Sequence, residues 1–150
     1  MGYTHAGHNV VMGNNCMISG YVGIAGHCVI EDRVVIGGFV GVHQYTTIGT
    51  MVMIGGQTAV TTDVPPGVMA VGVPMHIHSL NVIGLKRGGV EREERRALLA
   101  AFKTVYRSEM NTSEAIAAIR AQGEPEGLVK HFIEFIERID DGHRGRQVNP

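Results

Sequence analysis

Residues 16–60 read CMISGYVGIAGHCVIEDRVVIGGFVGVHQYTTIGTMVMIGGQTAV, and every sixth residue is aliphatic: Ile18, Ile24, Ile30, Ile36, Val42, Ile48, Ile54, Val60. Met12 extends the series backwards. Two residues earlier in each unit stand Val10, Cys16, Val22, Cys28, Val34, Val40, Thr46, Val52 and Thr58, all small or β-branched. The position after each aliphatic is usually small: Gly13, Ser19, Ala25, Gly37, Gly49, Gly55. Neither the helical period of 3.6 nor the strand period of 2 sustains such a pattern. A six-residue repeat signals a parallel β-helix. Each unit is one short strand and one turn, and three units close a triangular coil. The aliphatics point inward and stack from coil to coil. The run Asp63-Val64-Pro65-Pro66-Gly67 is expected to stop strand pairing, because proline donates nothing to a ladder.

Outside this stretch the chemistry changes. Of the 13 Lys and Arg residues only Arg33 precedes Lys86, and 17 of the 21 glycines lie at or before Gly89. Two architectures are therefore expected, a hexapeptide-repeat β-helix over 1–75 and an α-helical part over 76–150. Glu91, Glu93 and Glu94 suit a first helical turn. Leu98, Phe102 and Val105 follow at helical spacing, Asn111 with Glu114 resembles a capping pair, and Pro125 suits a first helical position. Leu128, Phe132, Phe135 and Ile136 form another apolar stripe, and the end from Asp140 onward is expected to fray.

The 150 residues are 44% hydrophobic and 18% charged, with a net charge of −1. This is a globular composition, without the basic excess of a nucleic-acid binder. No run is long and apolar enough to span a membrane, and the first residues lack the pattern of a secretory signal. Cys16 and Cys28 take inward repeat positions on different sides of the prism, as small buried hydrophobes rather than a bridge or a nucleophile. That fits a reducing, cytoplasmic location.

Residues three units apart stack about 4.8 Å from each other. His8, Gly26 and Gln44 share one column, and Asn9, His27 and Tyr45 share the next. His5 and His43 lie beside them, so four histidines gather on one edge of an otherwise uncharged repeat. Histidine serves as a general base near neutral pH. A glycine such as Gly26 leaves its backbone N–H open to a developing oxyanion. No serine or cysteine is placed as a nucleophile, so direct transfer is simpler than a covalent intermediate. A metal shared by histidines across subunits is the competing reading, but no carboxylate stands close to orient the rings. No resident metal or cofactor is expected.

The segments His5-Ala6-Gly7-His8-Asn9, Gly23-Ile24-Ala25-Gly26-His27, Val42-His43-Gln44, Asp63-Val64-Pro65-Pro66 and Asn81-Val82-Ile83-Gly84-Leu85-Lys86-Arg87 occur in order. Together they resemble the acyl-carrier-protein:UDP-N-acetylglucosamine O-acyltransferase family of lipid A synthesis. The resemblance implies a left-handed β-helix, a homotrimer with active sites at subunit clefts, and a 3-hydroxyacyl donor carried on the phosphopantetheine of acyl carrier protein. It makes His8 the general base on the sugar 3-hydroxyl and Gly26 the N–H donor to the thioester oxygen. His5, Asn9, His27, His43 and Gln44 would line the substrate cleft. Asn81 and Arg87 would contact the nucleotide or the pantetheine arm, and Gly56 would leave room for the acyl chain. The sequence departs from the family in carrying Asn9 for an aspartate, Ile83 for an acidic residue and Gly88 for an arginine. It also begins where the family has internal sequence, so the family's first coils are expected to be missing. The later N-acyltransferase of the same pathway, and a catalytically silent β-helical oligomerisation module, are the alternative readings.

Overall fold

A computed structural model describes residues 2–141. Ten two-residue strands come first: β1 (His5–Ala6), β2 (Val11–Met12), β3 (Met17–Ile18), β4 (Gly23–Ile24), β5 (Val29–Ile30), β6 (Val35–Ile36), β7 (Gly41–Val42), β8 (Thr47–Ile48), β9 (Met53–Ile54) and β10 (Ala59–Val60). They stack in parallel on three faces, β1-β4-β7-β10, β2-β5-β8 and β3-β6-β9. The register is that of the repeat, with His5 opposite Gly23, Gly23 opposite Gly41, and Gly41 opposite Ala59. Backbone hydrogen bonds join the coils, such as Val29 N–H to the Thr46 carbonyl at 2.9 Å. The whole is a left-handed parallel β-helix followed by helices.

Both repeating series point inward as the period requires. Ile24, Ile30, Ile36, Ile48 and Ile54 are buried, and so are Val22, Cys28, Val34, Val40 and Val52 between them. Each buried isoleucine contributes about 1.5–3 kcal/mol. Cys28 fits the expected role, for burial pushes its thiol pKa up and its Sγ donates to the His43 carbonyl at 3.0 Å. Cys16, in the first coil, is only partly buried. The small position has a steric cause: a Cβ on Gly49 would lie 2.6 Å from the backbone nitrogen of Pro66 in the next coil. One residue at each corner adopts a left-handed conformation, among them Asn9, His27 and Tyr45 at φ of 57, 61 and 65°.

The prolines do not end the pairing. Val64 still bridges Ile48, and β11 (Val68–Val71) pairs in parallel with β9, Met69 opposite Met53. What changes is the coil length. Ile48 to Val64, and Met53 to Met69, are 16 residues apart instead of the 18 of every earlier pair. Two residues are lost at the corner between β10 and Val64, and Asp63 compensates. Its buried carboxylate accepts the Thr47 N–H at 2.8 Å, where earlier coils use a main-chain carbonyl. A return strand, β12 (His76–Leu80), then runs antiparallel to β11, so this sheet continues past residue 75.

Helices α1 (Val82–Arg87), α2 (Arg92–Arg107), α3 (Thr112–Arg120) and α4 (Gly127–Asp140) follow. They pack against the upper coils, at Glu31, Arg33, Asp63 and Gly67. Gly67 sits where a Cβ would meet Leu98 and Leu85, at a φ of 72° that glycine tolerates best. The Asn111 and Glu114 pair forms the expected capping box on α3. Pro125 is not the first helical residue. Helix α4 starts at Gly127, and its Leu128 N–H is capped from α2 by the Glu94 carboxylate at 2.7 Å. The expected fraying falls largely on residues 142–150, outside the described residues.

Two ionic contacts fasten α4 to the coils. Arg138 approaches Asp63 at 3.8 Å and lies over the Phe135 ring, 4.1 Å from its centroid. His131 Nε2 lies 2.7 Å from Glu31 Oε2, which also accepts the Thr50 N–H at 2.8 Å. The hydrogen bond to Glu31 raises the His131 pKa above its ordinary value; burial and Arg138 oppose the rise, while Glu134 adds to it. A raised folded-state pKa means that the contribution is complete below the unfolded histidine pKa, about 6.5. It is lost as pH rises through the folded value. The His131 side chain is 39% exposed, so screening holds the effect to under about 1 kcal/mol. Urea midpoints measured from pH 5.5 to 8.5 should fall with pH above about 6.5, and His131→Gln should flatten that slope.

Candidate active site

The corner between the β1 face and the β2 face carries the histidine columns. His8 stands on the α-carbon of Gly26: a Cβ there would be 2.7 Å from both Cε1 and Nε2 of the imidazole. The Gly26 carbonyl is used by the Tyr45 N–H at 3.2 Å, while the Gly26 N–H has no acceptor among the described residues. Gly7 preserves that opening, because a Cβ on it would lie 2.8 Å from the Gly26 nitrogen. A basic ring nitrogen and an unused amide donor thus meet at one exposed corner. A proton acceptor and a donor for negative charge are what acyl transfer to a hydroxyl requires.

The rings continue upward. His27 meets His8 nearly at right angles, with centroids 4.8 Å apart. Tyr45 stacks on His27 at 4.9 Å with 10° between planes. Gln44 is exposed one coil above Gly26. His5 and His43 flank an adjoining shallow groove of about 470 Å³ floored by Gly23, Gly41 and Ala59. Asn9 is exposed beside His8, and its left-handed φ suits asparagine. No carboxylate hydrogen bonds to His8 among the described residues. Nor do three His, Cys, Asp or Glu side chains of one chain come together as a metal site among them.

The remaining three predicted residues lie elsewhere on the prism. Gly56 is exposed at the corner between the β3 face and the β1 face, where a Cβ would approach nothing closer than the Gly38 carbonyl at 3.3 Å. Asn81 is buried and commits its amide to the fold: Nδ2 donates to the Met51 carbonyl at 2.9 Å and Oδ1 accepts the Gly84 N–H at 3.0 Å. It caps α1 and so places Arg87, which is exposed on a groove of about 490 Å³ lined by Met17, Val35, Met53 and Ile83. One chain therefore gathers His5, His8, Gly26, His27, His43 and Gln44, but leaves Gly56 and Arg87 on different corners. Arg33 joins Arg87 at that groove and donates to the Gly88 carbonyl at 2.6 Å. Sequence reasoning missed it, although its place one coil below Met51 was available from the period.

A parallel solenoid of six-residue repeats defines the hexapeptide transferase class. Residues 9–44 match the bacterial transferase hexapeptide model of six repeats. The chain belongs to the UDP-N-acetylglucosamine O-acyltransferase family, whose domain 2 model matches residues 63–146. An acyl-[acyl-carrier-protein]–UDP-N-acetylglucosamine O-acyltransferase of Synechocystis is 39% identical over 97% of this chain and 53% of the relative. The protein of the same name from Burkholderia ambifaria is 39% identical over 95% and 56%. The solved UDP-N-acetylglucosamine acyltransferase of Bacteroides fragilis superposes with a TM-score of 0.89 at 28% identity, covering 99% of this chain and 56% of that one. That of Campylobacter jejuni gives 0.83 at 31%, covering 99% and 56%. The chain spans about half the length of the curated relatives it matches. No helix among the described residues is long and apolar enough to cross a membrane.

Proposed function

We propose that this chain transfers a 3-hydroxyacyl group from acyl carrier protein to the 3-hydroxyl of UDP-N-acetylglucosamine, the first acylation of lipid A synthesis, in the cytoplasm. His8 removes the hydroxyl proton as the oxygen attacks the thioester carbonyl. The Gly26 N–H donates to the oxygen that becomes negative. The tetrahedral intermediate collapses, the C–S bond breaks, and the pantetheine thiolate recovers the proton from the His8 imidazolium. The ester product and the free thiol carry all atoms and charges of the reactants. The only prosthetic group in this scheme belongs to the donor. His5, His27, His43 and Gln44 bind around the reacting groups. The separation of Gly56 and Arg87 from the histidine corner supports a homotrimer, in which a neighbouring subunit brings these surfaces to the cleft.

The observation that carries this reading is the His8 ring seated on Gly26 beside an unused N–H. Gly26→Ala tests it. The Gly26 backbone accepts an L-residue, so the fold should persist, with a melting temperature within a few degrees of wild type. The new methyl, however, displaces the imidazole. Displacing a base by about an ångström costs on the order of a hundredfold. Turnover of 3-hydroxyacyl-acyl carrier protein with UDP-N-acetylglucosamine should fall by about that factor. Unchanged turnover in the alanine variant would remove the site from this corner. A wild-type protein that is folded and trimeric but transfers nothing would leave an oligomerisation module.

A further inference from the structure

A histidine that acts as a base is ordinarily oriented by a hydrogen bond that its second ring nitrogen donates, often to a carboxylate. His8 has no such partner among the described residues. Its neighbour Asn9 is an exposed amide, and the charged side chains nearest in sequence, Glu31 and Asp32, are engaged with His131, Thr50 and Asn14 at another corner. The contacts around the His8 ring are instead the Gly26 α-carbon and the His27 ring at 4.8 Å. The His27 ring is in turn stacked on Tyr45. Within its own column, among the described residues, His27 has Asn9 below it and the Tyr45 ring stacked above it.

Resting on the transfer reading above, we propose that Tyr45 and His27 are positioning residues, which hold the His8 imidazole over Gly26 by ring packing in place of a hydrogen-bonded carboxylate. Tyr45 is 52% exposed, so it does not fill the core. Its φ of 65° is the left-handed corner conformation shared by every repeat unit, and it places the ring directly over His27. Its hydroxyl has no hydrogen bond among the described residues, so the ring face is the part in use.

The test is a comparison of Tyr45→Ala and Tyr45→Phe in the full chain. Tyr45→Ala should lower kcat about tenfold, with KM for both substrates within about twofold of wild type, because a loosened base weakens the transition state more than binding. Tyr45→Phe retains the ring and should restore kcat. The imidazole proton resonances of His8 and His27 supply a readout that needs no turnover. Both should shift on Tyr45→Ala and return on Tyr45→Phe. A wild-type kcat in Tyr45→Ala would overturn the proposal, as would a raised KM with unchanged kcat or a His8 resonance that does not move. An inactive wild type whose His8 resonance still follows Tyr45 would instead defeat the transfer reading and leave the positioning intact.

Discussion

His8→Ala should reduce acyl transfer by about 10²–10⁴-fold, the range that a positioned general base supplies. Its effect should exceed that of Gly26→Ala, because the alanine methyl only displaces the base while His8→Ala deletes it. The fold gives no reason for collateral damage. His8 is exposed and makes no hydrogen bond with its side chain among the described residues, so truncation buries nothing unpaired and opens no cavity. Surface changes of that kind stay within about 0.5 kcal/mol of wild type. Urea midpoints and the mass of the assembled protein should therefore match wild type. A residual rate above the uncatalysed one should survive, since the Gly26 N–H and the binding surface remain. Loss of turnover together with loss of the folded assembly would make His8 structural, and retained turnover would exclude it as the base.

Asp63→Ala should destabilise the protein by about 3–5 kcal/mol, as removal of one partner of a buried ion pair does. Two partners of Asp63 are the Thr47 N–H and Arg138. The Thr47 N–H loses the acceptor that replaces a missing main-chain carbonyl. Arg138, whose Nε and Nη2 are buried without a hydrogen bond, loses its nearest carboxylate. Adding Arg138→Met should recover part of the loss, because a buried charge no longer has to be tolerated. The Thr47 share should remain. Urea denaturation of the two single variants and the double variant closes the cycle. Additive losses would show that the 3.8 Å approach contributes nothing.

Much of the fold was legible because the repeat states each rule many times. The inward series, the stacked faces and the columns that pair His8 with Gly26 and His27 with Tyr45 all follow from counting in sixes. What occurs once leaves no period to read. The two-residue contraction before Val64 is invisible until the register is seen, so the prolines looked like a terminus. The β11–β12 return, the Glu94 cap that starts α4 and the Glu31–His131 contact each join residues far apart in the chain. Asn81 illustrates the limit at the site itself. Its place in a recognisable segment gave it a binding role, and the structure adds one that no spacing rule gives: each end of its amide is bound to backbone. Tyr45 was placed in its column by counting, but its contact with His27 belongs to side-chain geometry.

The contracted coil also says how a molecule of this kind can change length. An extra residue inside a strand would turn the inward series outward, with the loss of its whole burial. Removal of two residues at a corner is absorbed locally, at the expense of one carbonyl, and the Asp63 carboxylate shows the repair. Insertion of one complete coil between His27 and Tyr45 would keep every side chain on its compass bearing and merely lift Gln44 and Tyr45 by about 4.8 Å. Such a chain behaves like a threaded rod, on which parts move by whole turns and never sideways. Substrate reach in an enzyme built this way is graduated in steps of one pitch.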